Sequence, residues 1–307
     1  MFIIKYKKIF ISISAVLVVL SVISMFYFGF KVGIDFKGGA LTEVSYDNTR
    51  PDKEDFKLNL ESLNIGSVLL QPTGDKGYIV KSRNLDENEH LALLQVLSQE
   101  GKNTLKEVNF NSIGPSVGAE LTRKAFVAVT LVSLAIILFI AFAFRKTSNL
   151  YAMGRHGVAS WKYGTIAVIA LIHDVTICSG IFVLLSHFFG AELDALFVVA
   201  VLTILGLSVS DTIVIFDRIR ENSKIESNNR NIDFKTIVGH SLDQSFVRSI
   251  ATSTTVILVL LALVFFGPEP TKYFALMLTA GMFFGTYSSI FLASPLLVLL
   301  EEWQNRK

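Results

Sequence analysis

The stretch GLSVSDTIVIFDRIREN, Gly206–Asn222, decides how this chain is read. Its first part, through Phe216, completes an apolar run that begins near Ala195 and is long enough to cross a bilayer. Asp211 lies inside that run, ahead of the charge cluster Asp217, Arg218, Arg220 and Glu221. A central carboxylate costs about 2.5–3.5 kcal/mol on insertion scales, and each flanking Leu, Ile or Val returns only about 0.3–0.6 kcal/mol. One such charge is tolerated in a span, but it requires a reason.

The rest of the chain supplies the setting. Its 307 residues are 51% hydrophobic with a mean hydropathy of +0.53, an apolar excess over soluble domains. The apolar runs predict six membrane helices, at Ile9–Phe30, Ala125–Phe144, Gly164–Phe189, Ala195–Phe216, Phe246–Phe266 and Tyr273–Leu300. The first, second and sixth carry no charged residue, and the other three each carry at least one. The first run is too long for the apolar part of a cleaved signal peptide and ends in aromatics, which predicts an uncleaved anchor. The single cysteine, Cys178 in the third run, excludes an intrachain disulfide and a thiolate metal site, and reads as a small buried apolar residue.

Lys and Arg cluster at the amino terminus, in the Arg145–Tyr163 and Asp217–Ser245 loops and at the carboxyl terminus. By the positive-inside bias, both termini face the cytoplasm. The expected organisation is residues 1–30 as the first span, 31–120 as an extracytoplasmic domain and 121–307 as five further spans. Residues 31–120 hold ten Lys/Arg against fourteen Asp/Glu, a net of −4, whereas the remainder holds 18 against 12, a net of +6. No clustered basic face points to nucleic acid.

Within 31–120, strands are predicted at Leu41–Tyr46, Val68–Gln71, Tyr78–Lys81 and Leu105–Phe110, with Pro72, Gly74 and Gly77 separating the middle two. Helices are predicted at Asp52–Leu63, with Phe56, Leu60 and Leu63 inward, and at Asp86–Gln99, with Leu91, Leu94 and Leu97 inward. The order β-α-β-β-α-β is the ferredoxin-like pattern, an α+β fold that says little about function. The domain has no cysteine, one histidine (His90) and no nucleophile–base pair, so it reads as a binding or coupling module and not an enzyme. GIDFKGG, with Gly33, Gly38 and Gly39, and IGPSVGAEL, with Gly114, Pro115 and Gly118, flank it. They read either as elbows that set the domain on the membrane or as hinges for its movement; neither has the spacing of a phosphate loop.

The polar residues inside the runs are the candidate functional groups. Asp211 lies toward the cytoplasmic side of the fourth span, and Arg248, near the start of the fifth, is expected at similar depth. Ser208 shares a face with Asp211, and Gln244, Ser245, Thr252 and Thr255 fall at helical spacing around Arg248. A polar stripe opposite a carboxylate fits a wet, proton-accessible interior; a structural ion pair locking two helices fits equally. His173 and Asp174 in the third span, with Ser208 and Thr252, form either a secondary proton path or a helix contact. No metal-ligand spacing is present, and no cofactor is expected. Gly281, Gly285 and Ser289 at four-residue spacing predict a close packing seam.

Six stretches now stand in order: GIDFKGG, IGPSVGAEL, HDV at His173–Val175, GLSVSDTIVIFDRIREN, SLDQSFVRSIATSTT at Ser241–Thr255, and GTYSSIFLASPLL at Gly285–Leu297. Together they resemble the SecF side of the SecD/SecF family of bacterial protein-export membrane proteins, within the RND superfamily. The resemblance implies an RND-like half that pairs with SecD into a twelve-helix unit in the cytoplasmic membrane. It also implies work beside the SecYEG channel, with the proton gradient helping to draw a translocating polypeptide outward. The family's proton-linked Asp and Arg fall on Asp211 and Arg248. The Arg145–Tyr163 loop is longer than the family pattern suggests and reads as a surface helix or an added partner site. Two other readings stand beside this one, a passive scaffold for SecD or the channel and a half-size RND-type exporter.

Overall fold

The structure is a computed structural model describing residues 2–66, 68–144, 160–226 and 232–305. The expectation for the Arg145–Tyr163 loop falls outside these residues as far as residue 159. Two compact units emerge: Met1–Lys31, Ala128–Ala191 and Leu196–Lys307 form one, and Val32–Val127 with Glu192–Ala195 the other.

Among the described residues six helices are long and apolar enough to cross a membrane. A short helix, α1 (Phe2–Lys5), leads into α2 (Lys7–Phe28). The others are α6 (Pro115–Phe144), α7 (Ser160–Phe189), α8 (Ala195–Ile225), α9 (Phe234–Phe266) and a last span made of α10 (Lys272–Tyr287), a π-helical stretch Ser288–Ala293 and α11 (Ser294–Asn305). Three of these reach well beyond their apolar runs, because hydrogen bonding continues into polar turns that hydropathy does not register. Thus α6 starts at Pro115, where proline's fixed φ and missing N–H suit a first helical position; IGPSVGAEL is mostly helix and not a loop.

In the helical unit, α7 and the last span are largely buried, whereas α6 and α9 leave most of their apolar surface outward. α2 packs on α7, and α9 on α10. The last span is not one regular α-helix. Pro295 offers no N–H to the turn before it and its ring crowds a carbonyl there; the stretch immediately upstream takes the wider π form, and the Ser294 hydroxyl donates to the Ser289 carbonyl at 3.0 Å.

The other unit holds α3 (Ile34–Lys37), β1 (Gly39–Tyr46), α4 (Glu54–Ser62), β2 (Leu69–Thr73), β3 (Gly77–Ser82), α5 (Glu87–Leu97) and β4 (Leu105–Ile113). The strands form one sheet in the order β2-β3-β1-β4, every neighbour antiparallel. Pro72 lies within β2 and does not end it, because β2 is an edge strand with one side free of ladder bonds. The sheet face bearing Ala40, Val44, Tyr46, Tyr78 and Val80 packs on Phe56, Leu60, Leu93 and Leu97. Leu91, expected inward, is exposed and Leu93 takes its place. Asp86 and Glu89 close a capping box at the α5 amino terminus that fixes the helix phase. Val108, also apolar, is exposed beside the bulge where β4 slips register against Glu43 and Val44. The Tyr46 hydroxyl donates to the Leu97 carbonyl at 2.9 Å, and burial raises its pKa. Since this core is built within residues 40–105, Gly33–Ile113 expressed alone is expected to fold; a circular dichroism spectrum of a disordered chain contradicts that expectation.

Candidate functional site

Hydroxyl groups from several helices converge on two membrane carboxylates. Asp211, half-buried on α8, accepts a hydrogen bond from Thr286 of α10 at 2.9 Å. Thr286 is itself hydrogen-bonded to Ser253 of α9. Three helices therefore meet at Asp211 through neutral donors. Arg248 is not among its partners. Ser245, Ser249 and Ser253 form the buried side of α9, while Gln244, Arg248, Thr252 and Thr255 are exposed on another side. The Thr252 hydroxyl turns back onto its own helix, donating to the Arg248 carbonyl at 2.8 Å. Among the described residues no ion pair joins Asp211 to Arg248, so the expected facing pair is not formed. The reason is helical phase: Arg248 and Ser253 are five residues apart, about 140° around the axis at about 3.6 residues per turn.

Asp174 is completely buried at 0% exposure. Ser288 of the π-helical stretch donates to it at 2.7 Å, Ser208 of α8 donates to the same oxygen, and the His173 Nδ1 lies 2.8 Å from the other. Ser208, expected beside Asp211, thus serves Asp174. Such donors are what a carboxylate shut away from water requires, since each missing hydrogen bond would cost about 1–3 kcal/mol.

Gly281, Gly285 and Ser289 face Ile204, Ser208 and Thr212. A Cβ added at Gly281 would lie 2.3 Å from Ile204 Cγ1, one at Gly285 would lie 3.3 Å from Ser208 Cα, and Ser289 and Thr212 share a hydrogen bond of 2.7 Å. This four-residue ladder on both helices brings Thr286 and Ser288 within reach of the two carboxylates. Sequence reading did not single out Ser253, Thr286 or Ser288; the signal was the hydroxyl density of TSTT (252–255) and TYSS (286–289) inside apolar helices.

The flanking glycines lie in the other unit. Gly33 N–H donates to the Leu193 carbonyl at 2.9 Å, Asp35 accepts from Ala195 N–H at 2.9 Å at the start of α8, and Lys81 pairs with Glu192 at 2.7 Å. Gly38 has φ +78°, and a Cβ there would lie 3.0 Å from Pro115 Cα; one at Gly118 would lie 2.9 Å from both Gly38 N and the Phe36 carbonyl oxygen. Gly39 approaches the Ser82 carbonyl as closely, while Gly114 has open space. The two glycine stretches are packed backbone to backbone, so a hinge motion here must break or slide these contacts. No group of three His, Cys, Asp or Glu that could hold a metal occurs among the described residues.

Comparison with known proteins places this arrangement. The family model for protein export membrane protein SecD/SecF, C-terminal, matches residues 94–155 and 158–303. The chain belongs to the SecD/SecF family. It is 37% identical over 303 residues to a protein translocase subunit SecF of Anaerolinea thermophila, covering 97% of this chain and 94% of that one. It is 39% identical over 317 residues to a SecF subunit of Thermobaculum terrenum, covering 99% and 94%. The crystal structure of SecDF, a translocon-associated membrane protein from Thermus thermophilus, superposes with a TM-score of 0.80 at 30% identity over 99% of this chain. This chain spans 38% of the length of that SecDF chain. As a SecD/SecF family member with six apolar helices, it is a multi-pass membrane protein of the Sec protein-transport pathway.

Proposed function

We propose that this chain is the SecF subunit of a bacterial protein translocase, pairing with SecD and acting beside SecYEG in the cytoplasmic membrane. In this role it uses the proton gradient to promote late stages of polypeptide export. It is a transport subunit and not an enzyme, and it needs no cofactor. Both termini face the cytoplasm, and the β2-β3-β1-β4 unit lies on the outer face. The strand order and antiparallel pairing support a ferredoxin-like reading of that unit. The fused SecDF relative, of which this chain matches 35% at 33% identity, supports a SecD partner.

The observation that carries the reading is Asp211: a half-buried carboxylate in a membrane helix, met by the hydroxyl of Thr286 and by no cation among the described residues. A carboxylate fixed in a salt bridge is held charged, whereas one held by neutral hydroxyls can bind and release a proton with less penalty. A proton crossing the membrane supplies about 2.3 kcal/mol per 100 mV, which is enough to bias helix packing. Arg248, on the exposed side of α9, times that release in concert with the partner half. The glycine joints at Gly33, Gly38, Gly39, Gly114, Pro115 and Gly118 transmit the change as close-packed contacts that slide. A passive scaffold resting on an Asp211–Arg248 lock lacks the lock among the described residues, and the outer-unit groove lined by Asp55, Asn59, Ser62, Gln95 and Gln99 has no aromatic rim for a small-molecule exporter to use. Inverted membrane vesicles depleted of this chain are expected to export a substrate polypeptide at the ATP-driven rate only. Adding the chain back with SecD should restore the increment that a proton gradient gives. Equal export with and without the chain, gradient applied, contradicts the reading.

A further inference from the structure

Asp211 leaves the most deeply buried carboxylate of the helical unit without a task. Asp174 sits near the middle of the 30-residue helix α7 and is fully enclosed, with His173 only 4% exposed beside it. Three donors from three elements reach the carboxylate: His173 Nδ1 at one oxygen, and Ser208 of α8 and Ser288 of the π-helical stretch at the other. Facing an ionised carboxylate, Nδ1 carries the imidazole hydrogen, which leaves Nε2 as a bare acceptor. That Nε2 is buried and has no hydrogen-bond partner. A buried polar atom left unpartnered costs about 1–3 kcal/mol and calls for an account.

The surroundings limit what the account can be. From α7 itself the nearest further titratable group is Cys178, one turn on and buried. From α10, the Tyr287 ring lies nearly parallel to the imidazole with centroids 6.3 Å apart, but its hydroxyl is engaged with Ser14 and the Phe10 carbonyl of α2. From α8 and the π-helical stretch come only the hydroxyls of Ser208 and Ser288. Among the described residues no Lys, Arg or second carboxylate is bonded to the pair, and no hydrogen bond joins Asp174 to Asp211. With neutral His173 the sealed cluster carries an uncompensated negative charge. A proton on Nε2 would turn it into an imidazolium–carboxylate pair of zero net charge, in which each buried charge has a partner.

We propose that His173 and Asp174 form a second proton-binding site in the membrane, separate from Asp211, that takes up one proton at His173 Nε2. A hydrated proton gives its hydrogen to the Nε2 lone pair: an N–H bond forms, the O–H bond of the hydronium breaks, water leaves, and Nδ1–H stays on Asp174. No oxidant or reductant is involved. Two features of the fold give the site a readout. Ser288 is the first residue of the π-helical stretch, a local element enriched at functional positions. The helices that contribute Ser208 and Thr286 to the two carboxylates are also the two joined by the glycine seam. Proton uptake here alters the pull on Ser208 and Ser288, and so the packing of those helices, without a bond to Asp211. The site stands on its own geometry and goes beyond the role proposed for Asp211.

The test is nitrogen-15 NMR of the full-length protein in lipid bilayers with labelled histidine, the His173 signal being identified by its absence in His173→Gln. The expected result is that His173 Nε2 changes from a bare to a protonated nitrogen as the pH is lowered across the range in which the protein stays folded. The change should persist in Asp211→Asn. In Asp174→Asn it should be displaced by at least about tenfold in proton concentration, the effect of removing an adjacent opposite charge. No change across that range in the wild-type protein overturns the proposal, as does an identical curve in Asp174→Asn. Loss of the change in Asp211→Asn also overturns it, because His173 would then only report on the other carboxylate. If Asp174→Asn does not fold, the wild-type and Asp211→Asn curves still decide. The role of Asp211 itself is judged by export and not by this titration, so either idea can fail alone.

Discussion

Asp211→Asn is expected to leave the protein assembled and to abolish the increment of export that a proton gradient adds. The amide is close to isosteric with the carboxylate, and its oxygen can still accept the 2.9 Å hydrogen bond from Thr286. It is also cheaper to bury than a charge, so helix packing around α8, α9 and α10 should survive. What is lost is the ability to carry a proton between the two sides. Asp211→Glu, which keeps a carboxyl group on a longer arm, should retain part of the increment. Export of a polypeptide into membrane vesicles, measured with and without a gradient alongside the amount of assembled complex, checks both. A full gradient response in Asp211→Asn contradicts the proposal.

Gly180→Val is expected to destabilise the helical unit by about 1–3 kcal/mol or more, the usual cost of overpacking a tight contact. A Cβ at Gly180 on α7 would lie 2.5 Å from Ser21 Cβ and 2.7 Å from Ser21 Cα on α2. One of these atoms is backbone, so rotating a side chain does not relieve the clash; α2 and α7 must separate. Ser24, one turn along, also donates to the Gly180 carbonyl at 3.4 Å, and that bond would stretch. The control is Gly206→Ala on α8, where an added Cβ meets nothing within 4 Å and the change should stay within about 1 kcal/mol. Thermal unfolding of the purified protein in detergent separates the two. Equal melting of Gly180→Val and wild type would show that α2 does not rest on Gly180.

The membrane helices were legible because burial in lipid demands an uninterrupted apolar run, and that demand is written residue by residue. Their true ends were not, since the polar turns from Pro115 and from Phe234, and those after Phe216, are helical by hydrogen bonding alone. The strands of the outer unit were legible from alternation, but Pro72 misled because an edge strand tolerates what a central one does not. Leu91 was placed inward through a helix phase that the Asp86–Glu89 capping box sets differently. Of the candidate site, the carboxylates were plain, as a charge in an apolar helix stands out. Their partners Ser253, Thr286 and Ser288 were not, because a lone hydroxyl in a membrane helix also reads as a small packing residue. The separation of Arg248 from Asp211 depended on rotation about α9, which depth along the axis does not encode.

The most direct test of the central claim is the double variant Asp211→Asn with Arg248→Met, assayed for polypeptide export in vesicles with and without a proton gradient. If Asp211 and Arg248 were only a structural pair, removing both charges together would relieve the cost of either alone and restore function. If Asp211 carries the proton, the double variant should assemble, export at the gradient-independent rate, and gain nothing when the gradient is applied. A double variant that responds to the gradient as the wild type does would contradict the account.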